Sequence, residues 1–282
     1  MMILESHMFM KMKDLGEIKG RTVAGSNKQW GYIYKEESSL PTVANESVIL
    51  TAVVDAQEEQ ETATLDVPNA FIQTFITDKS KQVVACIWGM LVDILVKIAP
   101  EVYSDYVTTD RKCNKQILVE CLNALYGTMV AALLFYEKFT TTLSEDGFIM
   151  NPYDPCVWNK NINSKQCTIC FHVDDYKISH ISKKIVNNII EWLWKNYESI
   201  FEDGSGKMKV SCGKVHKYLG MMFDFTTKQR VKISMVEYMK ELILAWEKAP
   251  KLDNDGFTAV KHGKKGRLTT VPEDLFKVDE DS

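Results

Sequence analysis

Cys167-Thr-Ile-Cys-Phe-His-Val-Asp-Asp-Tyr-Lys-Ile-Ser-His180 joins two apolar, strand-like runs at two adjacent aspartates, Asp174 and Asp175. Neighbouring carboxylates repel, and a tip built from Asn-Gly would fold at lower cost. Such a tip is expected where something attracts negative charge, and a divalent cation is the simplest candidate. A third carboxylate stands in Thr62-Ala-Thr-Leu-Asp-Val-Pro-Asn-Ala-Phe71, where Asp66 ends an alternating strand. One aspartate on a strand and two on a hairpin form the donor set of a two-metal phosphoryl-transfer site. In such sites cations about 3.5–4 Å apart align the attacking hydroxyl and the leaving phosphate.

The chain has 282 residues, 45% of them hydrophobic and 26% charged, enough for a full core in one large domain or two smaller ones. No apolar run approaches the roughly 18 residues of a membrane span, and the first residues lack a charged-then-apolar signal pattern. Seven scattered cysteines, an odd number, point to a reducing compartment. Cys167 and Cys170 have metal-ligand spacing, but residues three apart on a strand face opposite sides. With no second Cys/His pair nearby, zinc is disfavoured.

The net charge of −4 argues against a generic nucleic-acid binder, yet its distribution is uneven. Residues 11–35 carry Lys11, Lys13, Lys19, Arg21, Lys28 and Lys35 against Asp14 and Glu17, and residues 207–217 carry four lysines and no acid. Basic stretches beside a carboxylate cluster suit an enzyme that grips a phosphate backbone and binds metals. Two solvated loops would look the same without the carboxylates.

Residues 15–35 read as a Gly-punctuated hairpin, Ile18–Ala24 returning through Trp30–Tyr34. Asn45–Ala56 and residues 90–98 read as helices, the second stopped by Pro100. Gln116–Leu122 alternates like a strand and leads through Leu125-Tyr-Gly127 into a long helix ending near Asp146-Gly147. Cys156–Lys160 is a strand. Residues 182–199 form an amphipathic helix with Val186, Ile189, Ile190, Leu193 and Tyr197 on one face. Ser234-Met-Val-Glu237 has capping-box spacing before a last helix, and a polar tail follows Pro250. Antiparallel strands mixed with helices give an α+β class, and with the carboxylates this reads as a polymerase palm.

These residues together resemble the reverse transcriptase domain of copia-type LTR retrotransposons, from about Lys11 to about Trp246. Asp66-Val-Pro-Asn-Ala-Phe71 is similar to the Asp-x-x-x-Ala-Phe block, and Ala124-Leu-Tyr-Gly127 with Tyr136-Glu-Lys-Phe139 to the Leu-Tyr-Gly helix block. Gly147-Phe148 and Asp154-Pro-Cys156 resemble the segment after it. His172-Val-Asp-Asp175 stands where the family has Tyr-Val-Asp-Asp, and Tyr218-Leu-Gly220 where it has a Phe-Leu-Gly primer-contact turn. Each fragment is weak alone; five in order are a strong signal.

The resemblance implies a right-hand polymerase with fingers (11–60 and 74–134), an antiparallel-sheet palm backed by helices (61–73 and 135–232) and a truncated thumb starting at 233–250. Residues 251–282 would be a flexible polar tail. It implies an RNA-directed DNA polymerase using two Mg²⁺ ions, or Mn²⁺, to transfer a dNTP to the primer 3′-hydroxyl on an RNA or DNA template. Asp66 and Asp174 would bind both metals, Asp175 more weakly, and the Val67 carbonyl would complete one oxygen shell. Lys19, Arg21, Phe71 and Val130 would meet the nucleotide, Phe71 as a ring excluding a ribose 2′-hydroxyl; an ordinary core ring is the competing reading. His172, Val173, Tyr218, Leu219 and Gly220 would hold the primer end.

Two positions depart from the family. His172 replaces tyrosine and adds a titratable ring. Val130 stands where many relatives carry glutamine, and valine donates no hydrogen bond. Without protease, integrase or RNase H segments, the expectation is a fragment of a larger polyprotein. The alternative is an inactive, truncated remnant that keeps the palm fold and some nucleic-acid binding. No membrane association is expected. Work in cytoplasmic virus-like particles is implied by the resemblance alone, with no address signal in the chain.

Overall fold

The computed structural model describes residues 2–12, 18–29, 31–33, 38–197 and 207–248. In chain order these form β1 (Met2–Met12), β2 (Ile18–Ala24), α1 (Asn45–Gln57), β3 (Glu61–Asp66), β4 (Val83–Trp88), α2 (Met90–Ile98), α3 (Pro100–Tyr103), β5 (Thr108–Thr109) and β6 (Lys115–Cys121). Then follow α4 (Ala131–Glu145), β7 (Ile149–Met150), β8 (Val157–Ile162), β9 (Lys165–His172), β10 (Asp175–His180), α5 (Lys183–Tyr197), β11 (Lys209–Gly213), β12 (Val215–Tyr218), β13 (Met221–Asp224), β14 (Lys232–Ser234) and α6 (Val236–Lys248). Three sheets result, ordered β2-β1-β4-β6-β5, β11-β3-β10-β9-β8-β7 and β12-β13-β14. Among the described residues every strand pairing except β1 with β4 is antiparallel, so the mixed, mainly antiparallel α+β class holds.

The six-stranded sheet has two unlike faces. From one, Phe171, Ile169, Tyr176, Ile178, Leu65 and Ala63 point into the main apolar cluster. There α4 supplies Phe135, Phe139 and Leu143 at four-residue spacing, and α5 supplies the stripe read from the sequence, buried throughout. Phe139 is the centre of this contact: its ring lies 4.9 Å from Phe171, 4.6 Å from Tyr176 and 5.6 Å from Tyr197. Burying such rings contributes several kcal/mol at a single position, and it fixes the strands that carry the paired aspartates.

The opposite face is polar, with Thr64, Lys177, Ser179 and Thr168 buried on it. Helix α1 covers it, packing Val48, Ala52 and Ala56 against the sheet and pairing Asp55 with Lys177, both side chains only 2% exposed. An unpaired lysine at that depth would be very costly, so the ion pair is what lets α1 close over a polar strand. At the start of α1, buried Asp154 accepts hydrogen bonds from the Ala44 N–H (3.0 Å) and the Cys156 N–H (2.9 Å). The Asp-Pro-Cys turn thus anchors the helix. Residues 45–57 thus pack on the sheet that carries the aspartates.

The first hairpin is corrected. Ile18–Ala24 pairs with the N-terminal strand, Phe9 opposite Arg21 and Lys11 opposite Lys19. Residue 30 and residues 34–37 lie outside the described residues, as does the tail from 251. The second helix ends at Ile98 as expected, but Pro100 then opens the short α3 rather than a loop, its missing N–H being harmless at a first helical turn. The chain divides into two units, Met1–Met235 and Val236–Ser282. In the second, α6 carries a Glu237–Lys240 ion pair at 2.9 Å in its first turns. No helix among the described residues is long and apolar enough to cross a membrane.

Candidate active site

Strand register assembles the acidic residues. In the β3–β10 ladder Asp66 is the direct partner of Asp175, and the Asp174 carbonyl accepts a hydrogen bond from the Val67 N–H at 2.9 Å. Pro68 then ends β3, since it has no N–H to give a ladder. The β9–β10 hairpin closes His172 onto Asp175 with only Val173 and Asp174 between them. Val173 has φ of +58°, left-handed at the first turn position, where II′ turns favour glycine. A β-branched residue there stores strain of order 1–3 kcal/mol. The neighbours that hold it are the aromatic cluster behind Phe171 and Tyr176.

The three carboxylates repel in a half-buried setting. Burial pushes the Asp174 carboxyl above the ordinary range, Asp66 adds to this, and Arg21 and His172 oppose it. Asp175 is pushed up to about 6, by burial first and then by the charges of Asp174 and Asp66. Among the described residues none forms an ion pair with Asp66, Asp174 or Asp175. An acidic set with no ion pair among the described residues suits hard cations. Equally, among the described residues no three histidine, cysteine or carboxylate side chains close on one point. A cation here would need further oxygens, from backbone, water or a phosphate, which is how Mg²⁺ is usually held.

Above the acids sits a group that the sequence did not single out. The Tyr126 ring packs at a tilt against Phe71 with centroids 4.6 Å apart, and the Arg21 guanidinium lies 5.7 Å from the Tyr126 centroid. The Tyr126 hydroxyl is pushed up by burial first and then by the charge of Asp174, with Asp66 also raising it and Arg21 opposing. Tyr126 therefore stands between the basic strand β2 and the acids. The only sequence signal for it was its place in Leu125-Tyr-Gly127, read as an entry to a helix.

Gly127 explains that motif. It has φ of +89°, and a Cβ on it would come 2.2 Å from the Ala24 carbonyl oxygen. The Ala24 N–H in turn donates to the Tyr126 carbonyl at 2.8 Å, and the buried Gln29 accepts at Oε1 from the Met129 N–H at 2.9 Å. Only glycine permits this backbone approach, which docks β2 against the turn and sets Arg21 over Tyr126.

The remaining candidates fall unevenly. Lys19 lies on β2 two residues from Arg21, but its side chain lies outside the described ones. His172 and Val173 are half-buried beside the acids. Val130 is buried at the N-terminal end of α4. Tyr218 is also buried: its hydroxyl donates to the Cys170 carbonyl at 3.2 Å, with the Asp175 carbonyl 3.5 Å away. Its side chain braces the aspartate hairpin rather than facing outward, whereas Leu219 and Gly220, both left-handed with φ of 49° and 77°, form the half-exposed turn. Between this turn and the acids lies a cleft of about 200 Å³, lined among others by Asp66, Asp175, Lys209, Ser211 and Lys217. Cys167 and Cys170 are both buried, and burial pushes their thiols up to about 12 and about 11. Neutral thiols at such depth are poor metal ligands.

No family model matches the chain. It is similar to the "Putative transposon Ty5-1 protein YCL074W" of Saccharomyces cerevisiae, 25% identical over 126 residues, which cover 45% of this chain and 38% of that protein. The chain thus spans well under half the length of the curated relative it matches. Among solved structures it is similar to apo telomerase from Candida tropicalis (TM-score 0.43, 11% identity, 81% of this chain and 48% of that one). It is also similar to the RNA-dependent RNA polymerase of bacteriophage phi12 (TM-score 0.41, 9% identity, 82% and 44%). Structural likenesses this loose carry no functional weight.

Proposed function

We propose that this chain is the polymerase core of a copia-type retroelement reverse transcriptase, an RNA-directed DNA polymerase and nucleotidyltransferase. The observation that carries the reading is the register pairing of Asp66 with Asp175, with Asp174 at the adjoining tip and, among the described residues, no ion pair to any of them. The sequence likeness to a transposon protein supports the retroelement part. Asp66, Asp174 and the Val67 carbonyl would hold two Mg²⁺ or Mn²⁺ ions, with Asp175 a weaker ligand. Bound there, the ions would lower the pKa of a primer 3′-hydroxyl and neutralise charge on the α-phosphate.

The chain's own residues supply placement. Arg21, fixed over Tyr126, presents a fork suited to triphosphate oxygens. Phe71, braced by Tyr126, fills volume beside the sugar and favours dNTPs. Leu219 and Gly220 offer backbone to the primer end, and the Tyr218 hydroxyl ties their turn to the aspartate hairpin. The products are the primer extended by one nucleotide and pyrophosphate. Integrase and RNase H would be supplied by other parts of the polyprotein.

Primer extension on poly(rA)/oligo(dT) with Mg²⁺ or Mn²⁺ tests this. Extension by the full chain and none by Asp174→Asn/Asp175→Asn is expected. A folded wild type that extends nothing with either metal would mark the chain as an inactive remnant.

A further inference from the structure

We propose that two copies of this chain associate through α2, packed antiparallel about a two-fold axis at Ile94; this goes beyond the polymerase reading and does not depend on it. Within α2 Val92 is the buried residue, and Leu91, Leu95 and Val96 are half-buried around it. The outer face repeats at four-residue spacing: Met90, Ile94 and Ile98 are 78%, 43% and 74% exposed. Side chains so spaced form one apolar stripe along a helix. Trp88 before the helix and Val102 and Tyr106 after it are also half exposed or more. Exposed apolar surface of this density marks a contact site rather than a face built for water.

The charges decide what covers it. Residues 88–106 carry Asp93, Glu101 and Asp105 against Lys97 alone, so a nucleic-acid backbone or an anionic membrane would be repelled. Asp93 and Lys97 are four residues apart and lie on one flank of the stripe. When two identical helices pack antiparallel about a two-fold axis, like flanks meet. The axis that sets Ile94 on Ile94 of the second copy, and Met90 on its Ile98, brings each Lys97 to the other copy's Asp93. A patch that satisfies itself in this way, i to j and j to i, is the requirement for a closed symmetric dimer. Within its own chain Lys97 has no ion pair among the described residues. Asp93 meets Lys115 through Oδ1 at 2.6 Å, and a carboxylate can accept from a second donor.

Sedimentation equilibrium of the full chain from about 0.1 to about 100 µM, the range suited to a modest interface, tests this. The mass should rise from one chain to two. Ile94→Asp sets two carboxylates on the axis and should raise the dissociation constant on the order of a hundredfold. Asp93→Lys and Lys97→Asp each bring like charges together and should weaken self-association roughly tenfold. An equimolar mixture of those two variants should recover wild-type affinity, because the mixed dimer restores both ion pairs. No change within one chain can produce that rescue, and the rescue itself requires both variants to be folded. A wild type that stays monomeric throughout, equal self-association of wild type and all three variants, or variants that do not recover affinity on mixing would each overturn the proposal.

Discussion

At Asp175 burial and like charge act in the same direction, which gives the site a measurable pH signature. A carboxyl held near 6, against 3.8 for the free group, binds its proton more tightly in the folded chain than in the unfolded one. The folded state therefore loses stability as pH rises between these values. Asp175→Asn removes the repulsion, so without metal it should melt above wild type at pH 7.5, and the gap should close toward pH 4. Thermal melting across that range checks it; a variant that melts below wild type at pH 7.5 would show that Asp175 is stabilised by a partner instead. Gly127 makes the second residue-scale prediction. Alanine there must adopt a left-handed backbone and displace Ala24, which destabilises by more than about 1 kcal/mol. Because the displaced strand carries Arg21, Gly127→Ala should also raise the KM for dNTP in extension assays. An unchanged KM would disconnect the Leu-Tyr-Gly turn from the nucleotide side of the site.

Among the elements, α1 and β10 depend on one another through Asp55 and Lys177. Lys177→Met alone strands a buried carboxylate and should cost about 3–5 kcal/mol in denaturant unfolding, whereas Lys177→Met with Asp55→Leu should recover most of that loss. Additive losses in the double variant would mean the pair is not a closed unit. None of this coupling was legible in the sequence, because a lysine in a strand reads as a solvated residue until a helix 122 positions away is seen to meet it. The aspartate hairpin was legible because its chemistry is local: two apolar runs, two acids, a two-residue turn. Likewise α4 and α5 follow from side-chain periodicity alone. The first hairpin was misread for the opposite reason. β1 draws its support from a parallel pairing with β4, about eighty residues away, and its Met-rich sequence has no sharp alternation to announce a strand. Tyr126 was missed because its role is fixed by β2 docking, again a contact between distant segments.

For the molecule as a whole, the described body joins an acidic hairpin, backed by aromatic rings, to a two-stranded hairpin carrying Arg21 through one glycine turn. Catalysis by positioning and charge neutralisation needs that combination. The central claim is that Asp66, Asp174 and Asp175 constitute the cation site. Its most direct test is a Mn²⁺ titration followed by electron paramagnetic resonance, with the full chain bound to a dideoxy-terminated primer–template and the next dNTP. The account predicts two bound ions in wild type at pH 7.5, and loss of tight binding in both Asp66→Asn and Asp174→Asn with overall folding retained. Undiminished Mn²⁺ binding in those variants, or no binding by the folded wild type, would contradict it.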